Sequence, residues 1–77
     1  MDENRFLEDF AKNLKYFMQD KNIGQRELAK KTKISQSTIN RYLSGNCMPS
    51  AKALVNIGCI LDCEIDDLIS TYVFIHA

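Results

Sequence analysis

Residues 25–45 read QRELAKKTKISQSTINRYLSG, a pattern that predicts two short helices joined by a tight turn. Its first part predicts a short helix from Gln25 to about Thr32. The N-cap of that helix falls on Gly24, which is tolerated there at little cost compared with serine or asparagine. Glu27 stands at the third helical position, so we expect its carboxylate to reach back to the cap amide as half of a capping box.

The second part of the stretch predicts another helix after a tight turn. Lys33 and Ile34 form the turn, and Ser35 is a good N-cap for a helix that runs from Gln36 to Ser44. Gly45 then stands at the position where a left-handed residue is wanted to end the helix.

Two helices joined by so short a turn must cross closely, at roughly 90–120°. The small side chain of Ala29 on the first helix permits this approach. The apolar side chains at the crossing are expected to face a shared core: Leu28, Ile34, Ile39 and Tyr42.

The remaining side chains of the second helix form a polar outer face, consisting of Gln36, Ser37, Asn40 and Arg41. All four can form hydrogen bonds. Such a face suits the major groove of DNA, where glutamine reads adenine and arginine reads guanine through paired hydrogen bonds.

Three more helices flank this pair. An apolar stripe from Phe6 to Met18 predicts a helix over about Asn4–Lys21, with Asp2 or Asn4 as its cap. Ser50 caps a fourth helix, and a fifth begins near residues 66 and 67, whose carboxylates suit a first helical turn. The apolar side of the fourth helix is predicted to consist of Leu54, Ile57, Cys59, Ile60 and Leu61. The expected fold is therefore all-α, a five-helix bundle.

The 77-residue chain has no formal net charge, but its charges are segregated. Residues 1–20 carry −2, residues 21–52 carry +6, and residues 53–77 carry −4. A concentration of positive charge in one segment is the pattern expected of a local phosphate-binding face.

The sequence predicts a cytoplasmic protein, because the acidic start is not followed by a signal-peptide core. No membrane span is expected, since the longest run of large apolar residues, 72–75, is far short of the roughly 20 residues that a span needs. Three cysteines are an odd number, which favours reduced thiols over a disulfide framework. Cys59 and Cys63 with His76 lack zinc-site spacing and a fourth ligand, so we expect core packing for Cys59 and no metal or other cofactor.

The run of residues 35–39 and the pattern from Tyr42 through Gly45 to Pro49 resemble the Cro/repressor-type (XRE-like) helix-turn-helix family. The resemblance covers about residues 5–69 and is strongest over residues 25–49. It implies a compact five-helix bundle of the phage-repressor type, with the helix-turn-helix in helices 2 and 3. This agrees with the fold that the residues indicate on their own.

The resemblance also implies roles for individual residues. Gln25 is similar to a glutamine that contacts a DNA phosphate and braces the first glutamine of the reading helix, here Gln36. Family members often have glycine where this chain has Lys33. A lysine held at positive φ is strained by roughly 1–2 kcal/mol, so we expect Lys33 to serve phosphate binding. By the same resemblance, the positions that contact base edges are Gln36, Ser37 and Arg41, and those that contact the DNA backbone are Ser35, Thr38 and Ser44.

The function that follows is sequence-specific binding of a palindromic operator in double-stranded DNA by a homodimeric transcriptional repressor. Two alternatives stay open: an antitoxin that holds a toxin protein and regulates itself through DNA, and a protein-interaction module without DNA binding. The presence of Gln25, Gln36 and Arg41 argues against the module, and the neighbouring gene would identify an antitoxin. An enzyme is not expected, since the chain has one histidine, no nucleophile–base pair and no phosphate-cradling glycine loop.

Residues 1–70 are expected to form the helix-turn-helix domain, followed by an apolar tail over residues 71–77. The tail segment from Thr71 to Ile75 is β-branched and aromatic without charge, and would be a liability as an exposed strand edge. It either forms a dimer contact or folds back onto the first helix over Phe6 or Phe10.

Overall fold

In the computed structural model, which describes residues 3–71, the chain forms five helices and no strand within that range. They are α1 Glu3–Asp20, α2 Gln25–Thr32, α3 Gln36–Leu43, α4 Ala51–Leu61 and α5 Ile65–Ile69. The predicted all-α fold with the helix-turn-helix in α2 and α3 is thus confirmed. None of the helices in this part of the chain is both long and apolar enough to cross a membrane. The predicted tail lies outside the described residues from residue 72 onward.

The predicted helix caps hold with two exceptions. Gly24 is the N-cap of α2, and the hydroxyls of Ser35 and Ser50 accept hydrogen bonds from the third amide of α3 and of α4. Asn4 does not cap α1, because that helix already begins at Glu3, and Asp2 lies outside the described residues.

The second exception is Glu27, whose predicted reach back to the cap amide is wrong. Its carboxylate lies 3.1 Å from the ammonium group of Lys31, one turn further along α2. Both side chains are about half exposed (49% and 51%), so this pair contributes only about 0.3–0.5 kcal/mol. The ion pair with Glu27 also neutralises one of the positive charges of α2, that of Lys31.

The core forms where α1 packs against α3 and α5. Phe10 is fully buried, and its ring meets that of Tyr42 edge-to-face, with centroids 5.5 Å apart and planes at 74°. This geometry is favourable for aromatic pairs beyond the area they bury. The other fully buried apolar side chains are Leu14, Leu28, Ile39, Ile57, Leu61 and Leu68.

Cys59 is exposed, so its predicted place in the core is wrong. It stands two residues after Ile57, and at 100° per residue it faces away from the side of α4 that Ile57 buries. Cys63 is half-buried, and burial followed by the charge of Asp67 raises the pKa of its thiol to about 11. Within residues 3–71, no three histidine, cysteine or acidic side chains come together as a metal site.

Asn13 is the buried polar residue that ties the two ends of the described chain together. It is fully buried within the apolar side of α1, and its amide group donates to the carbonyl oxygens of Leu68 at 3.0 Å and Ser70 at 2.8 Å. Those carbonyls belong to the end of α5, where a short helix leaves its last carbonyls without partners. Asn13 therefore fixes α5 against α1.

Candidate nucleic-acid interface

The turn between α2 and α3 is braced from within. Thr32 is buried, and its hydroxyl donates to the carbonyl oxygen of Leu28 at 2.7 Å and accepts from the amide of Ile34 at 3.3 Å. Lys33 follows in the left-handed conformation, with φ 61° and ψ 25°. The positive φ expected for Lys33 is therefore present, and the turn delivers Ser35 to the start of α3.

Three hydroxyl side chains meet at the first turn of α3. The Ser35 Oγ accepts from the Thr38 amide at 3.2 Å and donates to the Thr38 Oγ1 at 2.8 Å. Ser37 Oγ lies 3.3 Å from the same Ser35 oxygen. These contacts fix the hydroxyls at the helix end that a helix-turn-helix protein presents to base edges.

The outer face of α3 is polar, as the sequence indicates. Ile39 and Tyr42 are buried against the core, and this leaves the opposite side of the same helix to solvent. The four predicted outer residues, Gln36, Ser37, Asn40 and Arg41, are all exposed. Their donors and acceptors are accordingly within reach of a ligand that approaches from that side.

The end of α3 is set by glycine. Gly45 adopts φ 74°, its amide bonds the carbonyl of Tyr42 at 3.2 Å, and the Asn46 amide bonds the carbonyl of Arg41 at 3.0 Å. This pair of bonds is a Schellman motif. Ser44 is thereby the C-cap rather than the last helical residue, and its hydroxyl donates to the Asn40 carbonyl at 2.7 Å. To donate to a phosphate, that hydroxyl must leave Asn40.

A shallow groove brings the start of α2 beside the start of α3. Gln25 and Gln36 line it together, although no hydrogen bond joins their side chains within residues 3–71. Arg26 and Lys30 line the same groove. The sequence pattern includes these two basic residues only as part of a charged segment. Their spacing of four residues along one helix is the signal that groups them on one face.

The positive charge near α3 is largely uncompensated. Among residues 3–71 the ion pairs join Arg5 with Asp9, Lys21 with Asp62, and Lys31 with Glu27. Five basic residues between 25 and 52 form no ion pair within residues 3–71: Arg26, Lys30, Lys33, Arg41 and Lys52. Acidic residues instead gather at the end of α4 and in α5, as Asp62, Glu64, Asp66 and Asp67. Uncompensated positive charge of this kind is the electrostatic pattern that attracts an anionic polymer.

Lys33 lies on a second concave surface, beside Ser50 and Lys52 at the start of α4. We predict that Lys33→Ala lowers the slope of log affinity against log salt by roughly one, because one phosphate contact is lost. Lys33→Gly is the matched variant: it removes the same charge but relieves the left-handed strain, so it stabilises the fold by about 1 kcal/mol. Salt titrations of DNA binding and thermal melts measure the two effects, and an unchanged slope in both variants removes Lys33 from the interface.

The comparisons with known proteins agree with this geometry. A family model described as a Cro/C1-type HTH DNA-binding domain matches residues 13–72, which include α2, α3 and the turn between them. No curated protein was found to match the chain, and no solved structure was found to match it either.

Proposed function

Because the chain belongs to the Cro/C1-type helix-turn-helix DNA-binding family, we propose that this DNA-binding transcription regulator is a repressor that recognises a specific operator through α3. The observation that carries the proposal is the exposed polar face of α3 beside basic side chains that form no ion pair within residues 3–71. Gln36 and Arg41 have the side chains that pair with adenine and guanine in the major groove. Repression follows if the bound protein occupies DNA that polymerase must use.

The other predicted site residues take supporting roles in this proposal. Gln25 at the start of α2 and Lys33 at the turn contact phosphates on either side of the groove that α3 enters. Ser37 and Asn40 contact base edges, while Ser35, Thr38 and Ser44 contact the DNA backbone. Phosphate contacts fix the register of the protein, and base contacts supply its sequence preference.

The operator is proposed to be palindromic and the protein to bind it as a homodimer. A single reading helix contacts only a few base pairs, too little to identify one site in a genome. Residues 3–71 span 30 × 22 × 19 Å, so two copies side by side can place their α3 helices about 34 Å apart, on successive major grooves. The tail of residues 71–77 is proposed as part of the dimer contact.

Selection of binding sites from a random pool of double-stranded DNA tests the proposed function. We expect an enriched motif with two-fold symmetry and half-sites one helical turn apart. A pool that shows no enrichment after repeated rounds would contradict specific DNA binding. An enriched motif without symmetry would contradict the homodimer but leave the reading helix in place.

Deletion of residues 71–77 tests the tail. We expect the truncated protein to sediment as a monomer at micromolar concentration. It should also lose affinity for the selected operator, because each protomer then binds its half-site without the help of the other. Analytical ultracentrifugation and operator titration measure this. A truncated protein that is still a dimer with undiminished affinity shows that the interface lies elsewhere.

A further inference from the structure

Thr38 joins the start of α3 to the side chain of Arg41. Its Oγ1 accepts a hydrogen bond from Ser35 Oγ at 2.8 Å and another from Arg41 Nη2 at 3.3 Å. We propose that Thr38 is a positioning residue that holds the Arg41 guanidinium in the orientation that reads guanine, and so sets the base preference at that point of the operator. The inference rests on the proposed function and adds to it a residue that acts through another.

The direction of the hydrogen bonds makes Thr38 an acceptor. The Ser35 hydroxyl has one proton, and it is given to Thr38 Oγ1. Ser35 can therefore only accept in its 3.3 Å contact with Ser37, which makes Ser37 the donor there. The series of hydrogen bonds therefore runs from Ser37 through Ser35 to Thr38. The Thr38 Oγ1 also accepts the hydrogen bond from Arg41.

The acceptor that Arg41 meets is rigid. Threonine is stiff about its first side-chain torsion, and in a helix it divides between two rotamers. The bond from the Ser35 cap selects one of them. Residues three apart are neighbours on a helix surface, so the selected oxygen lies beside the Arg41 side chain.

Arg41 has no stronger partner that would draw it elsewhere within residues 3–71, since none of the ion pairs there includes it. Its bond to the uncharged Thr38 hydroxyl uses one of five N–H donors and leaves the charge uncompensated. Two further donors suffice for the paired bonds to guanine. A side chain ordered before binding loses less rotamer entropy on the DNA, and this favours whichever contact is made from the ordered orientation.

The test compares Thr38→Val with Thr38→Ser. Valine keeps the shape of threonine but removes the acceptor, and serine keeps the acceptor. Residue 38 still donates its amide to Ser35 in both, and thermal melts confirm that each variant folds. The probes are the duplex selected by the unaltered chain and the same duplex with one base pair changed, at the guanine whose preference Arg41→Ala abolishes.

We expect Thr38→Val to reduce discrimination between the two duplexes roughly fivefold, the factor that corresponds to one hydrogen bond of about 1 kcal/mol. Thr38→Ser should retain it. In the protein without DNA, NMR relaxation of the Arg41 Nε–H group should show greater mobility in the valine variant alone.

Unchanged discrimination in Thr38→Val overturns the inference, and so does an equal loss of affinity for both duplexes, which would make Thr38 a phosphate contact only. These results leave the proposed function standing. If the unaltered chain selects no sequence at all, the proposed function fails and takes this inference with it.

Discussion

We expect Phe10→Ala to lower the free energy of unfolding by about 3–5 kcal/mol, the largest loss of stability predicted for any single substitution. Phe10 is fully buried and is the ring against which Tyr42 packs. Its removal leaves a cavity between α1 and α3 and ends the edge-to-face contact. Because a domain of this size is held by a free energy near the low end of about 5–15 kcal/mol, most of its stability would be lost.

Urea denaturation followed by circular dichroism measures this loss. Met48→Ala is the matched control, since Met48 is 49% exposed and its truncation should change stability by no more than about 0.5 kcal/mol. Phe10→Leu should fall between the two, because it keeps part of the buried volume. A loss below about 1 kcal/mol in Phe10→Ala would contradict the position of this ring at the centre of the core.

The second large effect concerns binding. Replacing both Gln36 and Arg41 by alanine should cost about 2–6 kcal/mol of affinity for each half-site of the selected operator, because each good base contact contributes about 1–3 kcal/mol. Specific binding typically exceeds non-specific binding by about 4–10 kcal/mol, so the double variant should approach the affinity of the protein for random DNA. Both residues are exposed, and no hydrogen bond joins them within residues 3–71, so their contributions should nearly add.

Fluorescence anisotropy with operator and random duplexes at one salt concentration measures this effect. On random DNA, Gln36→Ala should change affinity less than Arg41→Ala, because only arginine adds charge. Lys12→Ala, an exposed base on α1, is the charge-matched control for Arg41. Equal losses on operator and random DNA in Gln36→Ala would show that Gln36 does not read a base.

Local chemistry explains how much of the fold could be predicted. Ser35 and Ser50 have the oxygen that a helix start requires, and Gly45 has the freedom at positive φ that a helix end requires. These requirements are satisfied within a few residues, so the sequence alone reveals them. The exposed face of α3 was predictable for the same reason. The buried residues Ile39 and Tyr42 are about one turn apart, so they lie on one side of the helix and leave the other side to solvent.

Features that depend on packing between distant segments could not be predicted in this way. Asn13 bonds carbonyls more than fifty residues away, and only the folded chain shows that they meet. Cys59 was misplaced because apolar residues occur on both sides of α4, and composition does not tell which side is buried. The bond between Thr38 and Arg41 depends on one rotamer among several, which the spacing permits but does not determine.

An NMR titration of the ¹⁵N-labelled protein with its selected duplex tests most directly the claim that α2 and α3 form the DNA interface. We expect the largest amide shifts at Gln25, over residues 35–41 and at Ser44, with α5 little changed. Random DNA should give smaller shifts in the same region. Shifts that concentrate on α5 or on the outer face of α1, with residues 35–41 unmoved, would show that DNA binds elsewhere than on α2 and α3.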